Sequence, residues 1–183
     1  MAAPLIFGDT EIAFLQELIR QKVDFMIVGL SAAALQGAPV VTQDVDLWFR
    51  DLADPGIARA LKKVKGAYVP PIGTHPPMFA GKGVNLFDIV VHMHGLGDFD
   101  QERRHTLGVP LGRFKIPALK LERVMVSKKA TGREKDKLAI KVLNDAIKAI
   151  RQRELERPQP RMNNGRWRGS TQNEGLQSDA NPR

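Results

Sequence analysis

The sequence predicts an α/β (α+β) fold: a mixed central β-sheet flanked by helices, with further helices toward the C-terminal end. Two observations carry that expectation. Short apolar runs such as "FMIV" and "VNLFDIVVHM" alternate with segments whose apolar residues recur at helical spacing, which is the order of an α/β sandwich and not of consecutive hairpins. The chain has 183 residues, 43% of them hydrophobic and 26% charged, enough for one domain with a core of its own and typical of a folded globular protein.

The elements follow in order. Asp9 or Thr10 is placed to cap a first helix in which Ile12, Leu15, Leu18 and Ile19 share a face. Phe25 to Val28 reads as a short buried strand ended by Gly29, and "SAAALQG" reads as a compact helix with Ser31 as N-cap and Gly37 closing it. "VVTQDVDLWF" alternates as a strand, with Thr42, Asp44, Asp46 and Trp48 on one face. "DPGIARALKKV" is expected to be a helix with Pro55 in its first turn. Pro70 to Gly83 reads as a loop, and "VNLFDIVVHM" as a second buried strand interrupted by one acid, Asp88. "TLGVPLGRFKIPAL" reads as irregular or edge structure, followed by helices over residues 119–130 and 135–153 with Gly132 between them. From about Arg157 the residues are polar and rich in Gly, Pro, Asn and Arg, so a domain over 1–156 and a disordered basic tail over 157–183 are expected.

Composition removes several function classes. There is no cysteine, hence no disulfide framework, thiolate metal site or cysteine nucleophile. No apolar run is long enough to span a bilayer, and "MAAPLIFGDTEIAFL" has neither a basic start nor a sustained apolar core, so a cytoplasmic location without membrane attachment is expected. A formal net charge of +8 favours an anionic partner, a nucleotide or a nucleic acid, over a cationic one.

Asp44 and Asp46 stand among Val45, Leu47, Trp48 and Phe49, where an ionised carboxylate is costly unless paired, hydrogen-bonded or bound to a metal. On a strand the two acids point from one face and repel each other, a conflict that a divalent cation removes. Oxygen-only ligands suit Mg²⁺ or Mn²⁺. Asp88 is the candidate third ligand, and such a trio can hold two ions about 3.5–4 Å apart for phosphoryl or nucleotidyl transfer. Upstream, Gly29 and Ser31 at a strand-to-helix junction can hold phosphate, or form a purely structural turn. Downstream, Lys128, Arg133, Lys135 and Asp136 can converge around the Gly132 break as phosphate ligands with an acid orienting them, or form a solvated basic helix end.

These residues resemble a family. Gly-(Gly/Ser), a short helix, Asp-hydrophobic-Asp and a later third Asp are the motif of the polymerase-beta-like nucleotidyltransferase superfamily. More narrowly, "IVGLSAAALQGAPVVTQDVDLWF" resembles the small bacterial nucleotidyltransferases grouped with abortive-infection toxins. "KIPALKLERVMVSKKATGREKD" is similar to that family's Ile-Pro segment and its Lys-x4-Arg-x-Lys-Asp helix, and the likeness runs from about Phe25 to Leu143. The resemblance implies the nucleotidyltransferase fold and a Mg²⁺-dependent transfer of a nucleoside monophosphate from an NTP to a hydroxyl, releasing pyrophosphate. It implies Asp44, Asp46 and Asp88 as catalytic, metal-binding acids, and Gly29, Ser31, Thr42, Lys128, Arg133, Lys135 and Asp136 as nucleotide-binding residues. The acceptor it implies is an RNA end, a protein or a small molecule, with an antitoxin as a possible partner chain. This chain departs from the family at Leu30, where a second Gly is usual, at Val40, where an Arg is frequent, and at Ala139, which is often acidic.

Those departures motivate a competing expectation, a nucleotide- or RNA-binding protein with impaired catalysis; a toxin–antitoxin-type interaction protein is a second. His92 and His94 have the spacing of strand ligands but read as strand-end residues beside the cleft, with His92 on the face of Asp88. His75 and His105 carry no pattern. Trp48 reads as core sooner than as a base-stacking residue, and Trp167, between arginines, can contact RNA or belong to an inert extension.

Overall fold

The computed structural model describes residues 7–156, so the expectations for 157–183, Trp167 included, lie outside the described residues. In chain order the elements are α1 (Asp9–Arg20), β1 (Phe25–Ile27), α2 (Gly29–Leu35), β2 (Val45–Phe49), α3 (Pro55–Lys63), β3 (Ala67–Val69), β4 (Met78–Ala80), β5 (Phe87–Val90), α4 (Phe99–Arg103), β6 (Thr106–Leu111), β7 (Phe114–Leu119), α5 (Leu121–Thr131) and α6 (Glu134–Glu156). The strands form one seven-stranded sheet in the order β3-β4-β5-β2-β1-β7-β6. β2 pairs with β5, and β1 with β7, in parallel; the other neighbours are antiparallel. The mixed α/β class read from the sequence is the architecture found.

Periodicity explains the layers. Phe14, Leu15 and Leu18 of α1 are fully buried, and the Phe14 ring meets Phe79 of β4 and Phe87 of β5, so α1 covers that face of the sheet. α3 is capped by Asp54, whose side chain accepts from the Gly56 amide, with Pro55 at the first helical position as expected. Its Ile57, Ala60 and Leu61 are buried.

Two contacts fix α5 in place, one to α2 and one to α4. The Gln36 amide donates to the carbonyls of Ala32 and Leu119 and accepts from the Leu121 N–H, joining the end of α2 to the start of α5. Arg123 on α5 makes a charge-assisted pair with buried Glu102 on α4, and Glu102 also accepts from the Gly97 amide. These side chains hold the helix that carries Lys128.

Several elements differ from expectation. β2 begins at Val45, so Thr42 and Asp44 precede the strand and do not share its face with Asp46; Thr42 donates to the Asp44 carbonyl and shapes the approach. Ser31 is not an N-cap. α2 starts at Gly29, with Val28 at the cap position, because Gly29 takes φ +63° and turns the chain three residues earlier than a Ser cap would. β5 ends at Val90, so His92 and His94 lie past it.

Residues 106–119 form a hairpin in six-residue register about a two-residue turn led by Gly112, and only β6 is an edge; β7 lies inside the sheet beside β1. The expected loop over 70–83 contains β4, and β3, α4 and the reach of α6 to Glu156 add to the predicted set. Gly132 separates α5 from α6 as read, in the left-handed conformation at φ +61°.

Candidate active site

Asp46 and Asp88 are direct register partners on the parallel pair β2–β5, so both carboxylates project from one face of the sheet. Asp44 comes just before β2 and is exposed. None of the three is in an ion pair among the described residues. Burial first and the charge of Asp88 next push the Asp46 pKa up to about 6; Lys128 opposes this and Asp44 adds to it. Asp88 is also raised, by partial burial and by the Asp44 charge. The sheet therefore presents a cluster of mutually repelling acids, with the Lys128 charge acting against the repulsion at Asp46.

Gly29 lies against this cluster. A Cβ at that position would collide with Asp46 Oδ2, and φ +63° disfavours a side chain in any case. The glycine is thus required twice, for the turn into α2 and for the space that Asp46 occupies. Ser31 is fully buried; its hydroxyl donates to the Val28 carbonyl at 2.8 Å and accepts from the Asp46 N–H at 3.2 Å. The structure therefore gives Ser31 the part of a tie between α2 and β2, which fixes the backbone of Asp46, with its hydroxyl already engaged.

On the opposite wall, Lys128 Nζ pairs with Asp136 Oδ1 at 3.1 Å, and the Thr131 hydroxyl reaches Asp136 Oδ2 at 2.7 Å. Asp136 is 3% exposed. Burial alone would raise its pKa, but the Thr131 hydroxyl and Lys128 more than offset this and hold it below the usual carboxylate range. Lys128, Thr131 and Arg133 line a cleft of about 230 Å³ together with Gly29, Asp46, His92 and His94. The histidines are presented by a loop whose Met93 is buried in the core and whose Gly95 packs directly on Ala130 of α5. Their rings stand edge to face, 5.2 Å apart.

The geometry thus joins Gly29, Asp46, Asp88, Lys128, Arg133 and Asp136, and leaves Thr42 in the approach to β2. Lys135 lies on α6, but its side chain is outside the described residues. Trp48 is buried and packs edge-on against Phe99, as core. Thr131 was missed: one hydroxyl in "KKATGRE" has no signal until the α5–α6 corner folds it toward Asp136.

Among the described residues, no group of three His, Cys, Asp or Glu side chains is close enough to form a metal cage by itself. That narrows the three-carboxylate expectation to an adjacent pair with a third acid at the margin. The donor set still fits Mg²⁺, which keeps several waters and binds through one or two carboxylates plus substrate phosphates. A larger cavity of about 510 Å³, with Lys120, Glu122 and Arg151 as its charged lining, contains none of these acids.

By sequence, the chain matches no family model and no curated protein. Solved structures do resemble it. The crystal structure of TM1012 from Thermotoga maritima, a nucleotidyltransferase by assignment, superposes with a TM-score of 0.50 at 20% identity, covering 79% of this chain and 89% of that one. ANT(2'')-Ia, solved in complex with adenylyl-2''-tobramycin, gives 0.51 at 12% identity with the same coverage. With the topology and these likenesses together, the chain has the nucleotidyltransferase fold.

Proposed function

We propose that this protein is a Mg²⁺-dependent nucleotidyltransferase that moves a nucleoside monophosphate from an NTP to an acceptor hydroxyl. The observation that carries the reading is the register pairing of Asp46 with Asp88 on one face, opposite a wall bearing Lys128 and Arg133. Asp46 and Asp88, with Asp44 beside them, would hold Mg²⁺, which when bound neutralises phosphate charge at the reacting group. Asp88 takes the proton from the acceptor hydroxyl, whose oxygen forms the new bond to the α-phosphorus as the bond to pyrophosphate breaks. Lys128, held in place by Asp136 and Thr131, and Arg133 balance the charge of the departing pyrophosphate.

ANT(2'')-Ia in complex with an adenylylated product lends support to the reaction class at the level of fold analogy. The likeness to abortive-infection enzymes adds an antitoxin chain as the partner to seek. To test the reading, each α-labelled NTP is incubated with the protein, Mg²⁺ and acceptor pools of tRNA and hydroxyl-bearing peptides. Label transfer with pyrophosphate release is expected, abolished in Asp46→Asn and Asp88→Asn variants that keep the native circular dichroism. No transfer from any NTP, with NTP affinity unaltered by Asp46→Asn, overturns it.

A further inference from the structure

The cleft lined by Lys128 and Arg133 has a second wall, to which the transfer chemistry assigns no part. His92 and His94 stand there, in the loop that follows β5. Met93 between them is buried in the core, which leaves the two histidines exposed along the cleft. The loop is pinned on the far side of His94 as well. Gly95, at φ +69°, lies so close to α5 that a Cβ there would collide with Ala130. The Leu96 N–H closes a turn on the Met93 carbonyl at 3.2 Å. The Gly97 N–H donates to Glu102 at 3.1 Å, and Arg123 of α5 donates to the same carboxylate. The helix that carries Lys128 thus also braces the histidine loop, and both walls of the cleft are set before a ligand arrives.

We propose that His92 and His94 bind the pyrophosphate end of the NTP, and so make a triphosphate, not a diphosphate, the preferred donor. The inference rests on the transfer reaction proposed above. In-line transfer puts the attacking hydroxyl and the leaving pyrophosphate on opposite sides of the α-phosphorus. Asp46 and Asp88 are neighbours across β2–β5, and Asp46 is the one of the three acids that lines the cleft. With the acceptor hydroxyl at Asp88, the pyrophosphate is directed past Asp46 into the cleft. Size agrees: about 230 Å³ is below the roughly 300–1,000 Å³ of a pocket that takes a whole small molecule, so part of a nucleotide fits. Chemistry agrees too. Lys128 and Arg133 are donors without acceptors, and each imidazole carries at least one N–H in either protonation state, a set that matches phosphate oxygens. A nucleobase fits less well, because two rings that stand edge to face cannot sandwich it between parallel faces. In the reaction the acceptor oxygen bonds to the α-phosphorus and its proton passes to Asp88. The bond from the α-phosphorus to the bridging oxygen breaks, and the pyrophosphate leaves with that electron pair, its charge shared among the four donor side chains. With an NDP the leaving group is orthophosphate, which reaches fewer of them.

The test is calorimetric titration of the full chain, in Mg²⁺ and without acceptor, with pyrophosphate, orthophosphate, and each NTP beside its NMP. Both histidines are exposed, so their variants keep the fold. His92→Ala and His94→Ala are each expected to lower affinity for pyrophosphate and for NTP about tenfold, as loss of one charge-assisted hydrogen bond does, and to change NMP affinity less than twofold. His92→Gln and His94→Gln retain a side-chain N–H and should recover most of the loss, which a packing role would not give. Equal losses for NMP and NTP, a loss that Gln does not recover, or pyrophosphate affinity unchanged in both Ala variants overturns the assignment while leaving nucleotidyl transfer intact. Pyrophosphate affinity that depends on both histidines, in a protein that labels no acceptor, upholds the pyrophosphate site and removes the transfer reaction.

Discussion

Asp46 holds its charge at a cost, and replacing it with Asn should make the protein more stable at neutral pH even as the proposed activity is lost. Its pKa is about 6 in the folded chain against a reference of 3.8. Between those values the folded state keeps a proton that the unfolded state releases, so stability from this group is full below pH 4 and falls as pH rises through 6. A difference of about two pKa units corresponds to about 3 kcal/mol at pH 8. Asn carries no such penalty and has nearly the same shape. Urea unfolding of the parent and Asp46→Asn at pH 4 and pH 8, in EDTA, reads the term together with its coupling to Asp88 and Asp44, because groups that do not interact with Asp46 cancel in the difference. The variant should gain about 2–3 kcal/mol relative to the parent on going from pH 4 to pH 8, about 1–2 M in urea midpoint. Adding Mg²⁺ at pH 8 should then stabilise the parent more than the variant. A difference independent of pH, or one that shrinks as pH rises, would refute the account of Asp46 as a buried acid held against repulsion.

The remaining expectations concern its neighbours. Ser31→Ala leaves the Asp46 N–H without its side-chain acceptor and should cost about 1–2 kcal/mol in denaturant unfolding, with NTP affinity reduced no more than the loss of folded protein explains. Lys128→Met strands the buried Asp136 carboxylate with only Thr131 and should destabilise on the order of 3 kcal/mol, whereas the double variant with Asp136→Asn should recover part of that; thermal unfolding of the three proteins measures the coupling. Gly29→Ala combines a left-handed backbone with a collision at Asp46, so it should lower the melting temperature by several degrees and abolish label transfer together; a variant that keeps either would contradict the geometry.

The acids were legible because a strand has period two and carboxylates in an apolar run are rare: "DVDLWF" and "NLFDIVV" each state their burial and their exception in a few letters. Their pairing was not legible, since nothing within one strand specifies which other strand lies beside it, and the match of Asp46 to Asp88 appears only once β5 docks parallel to β2. β3 and β4 escaped notice because three-residue strands between Pro and Gly clusters are too short to show alternation. Ser31 was misjudged because a Ser before three alanines has the composition of a helix cap, while the backbone obeys Gly29 and starts the helix earlier. The roles of Gln36 and Thr131 lie in contacts between distant or post-turn segments, and no local pattern encodes them.

Leu30 stands where a second glycine is usual, and the backbone bears on that departure. A second glycine in this turn is essential if the residue must adopt positive φ or let another backbone approach. Among the described residues, the non-glycine positions with positive φ are Lys22 and Lys65, so Leu30 is not forced into the left-handed region; Gly29 alone supplies it. Leu30 sits in the first turn of α2, with its side chain packed partly against the core. Its cost is therefore one of bulk beside the helix start, and not of backbone strain. Leu30→Gly then gives a clean reading. Removing a packed side chain and adding chain entropy should lower stability by about 1–3 kcal/mol. NTP affinity should rise only if the leucine obstructs phosphate, and an affinity unchanged within twofold means that this turn works with a single glycine.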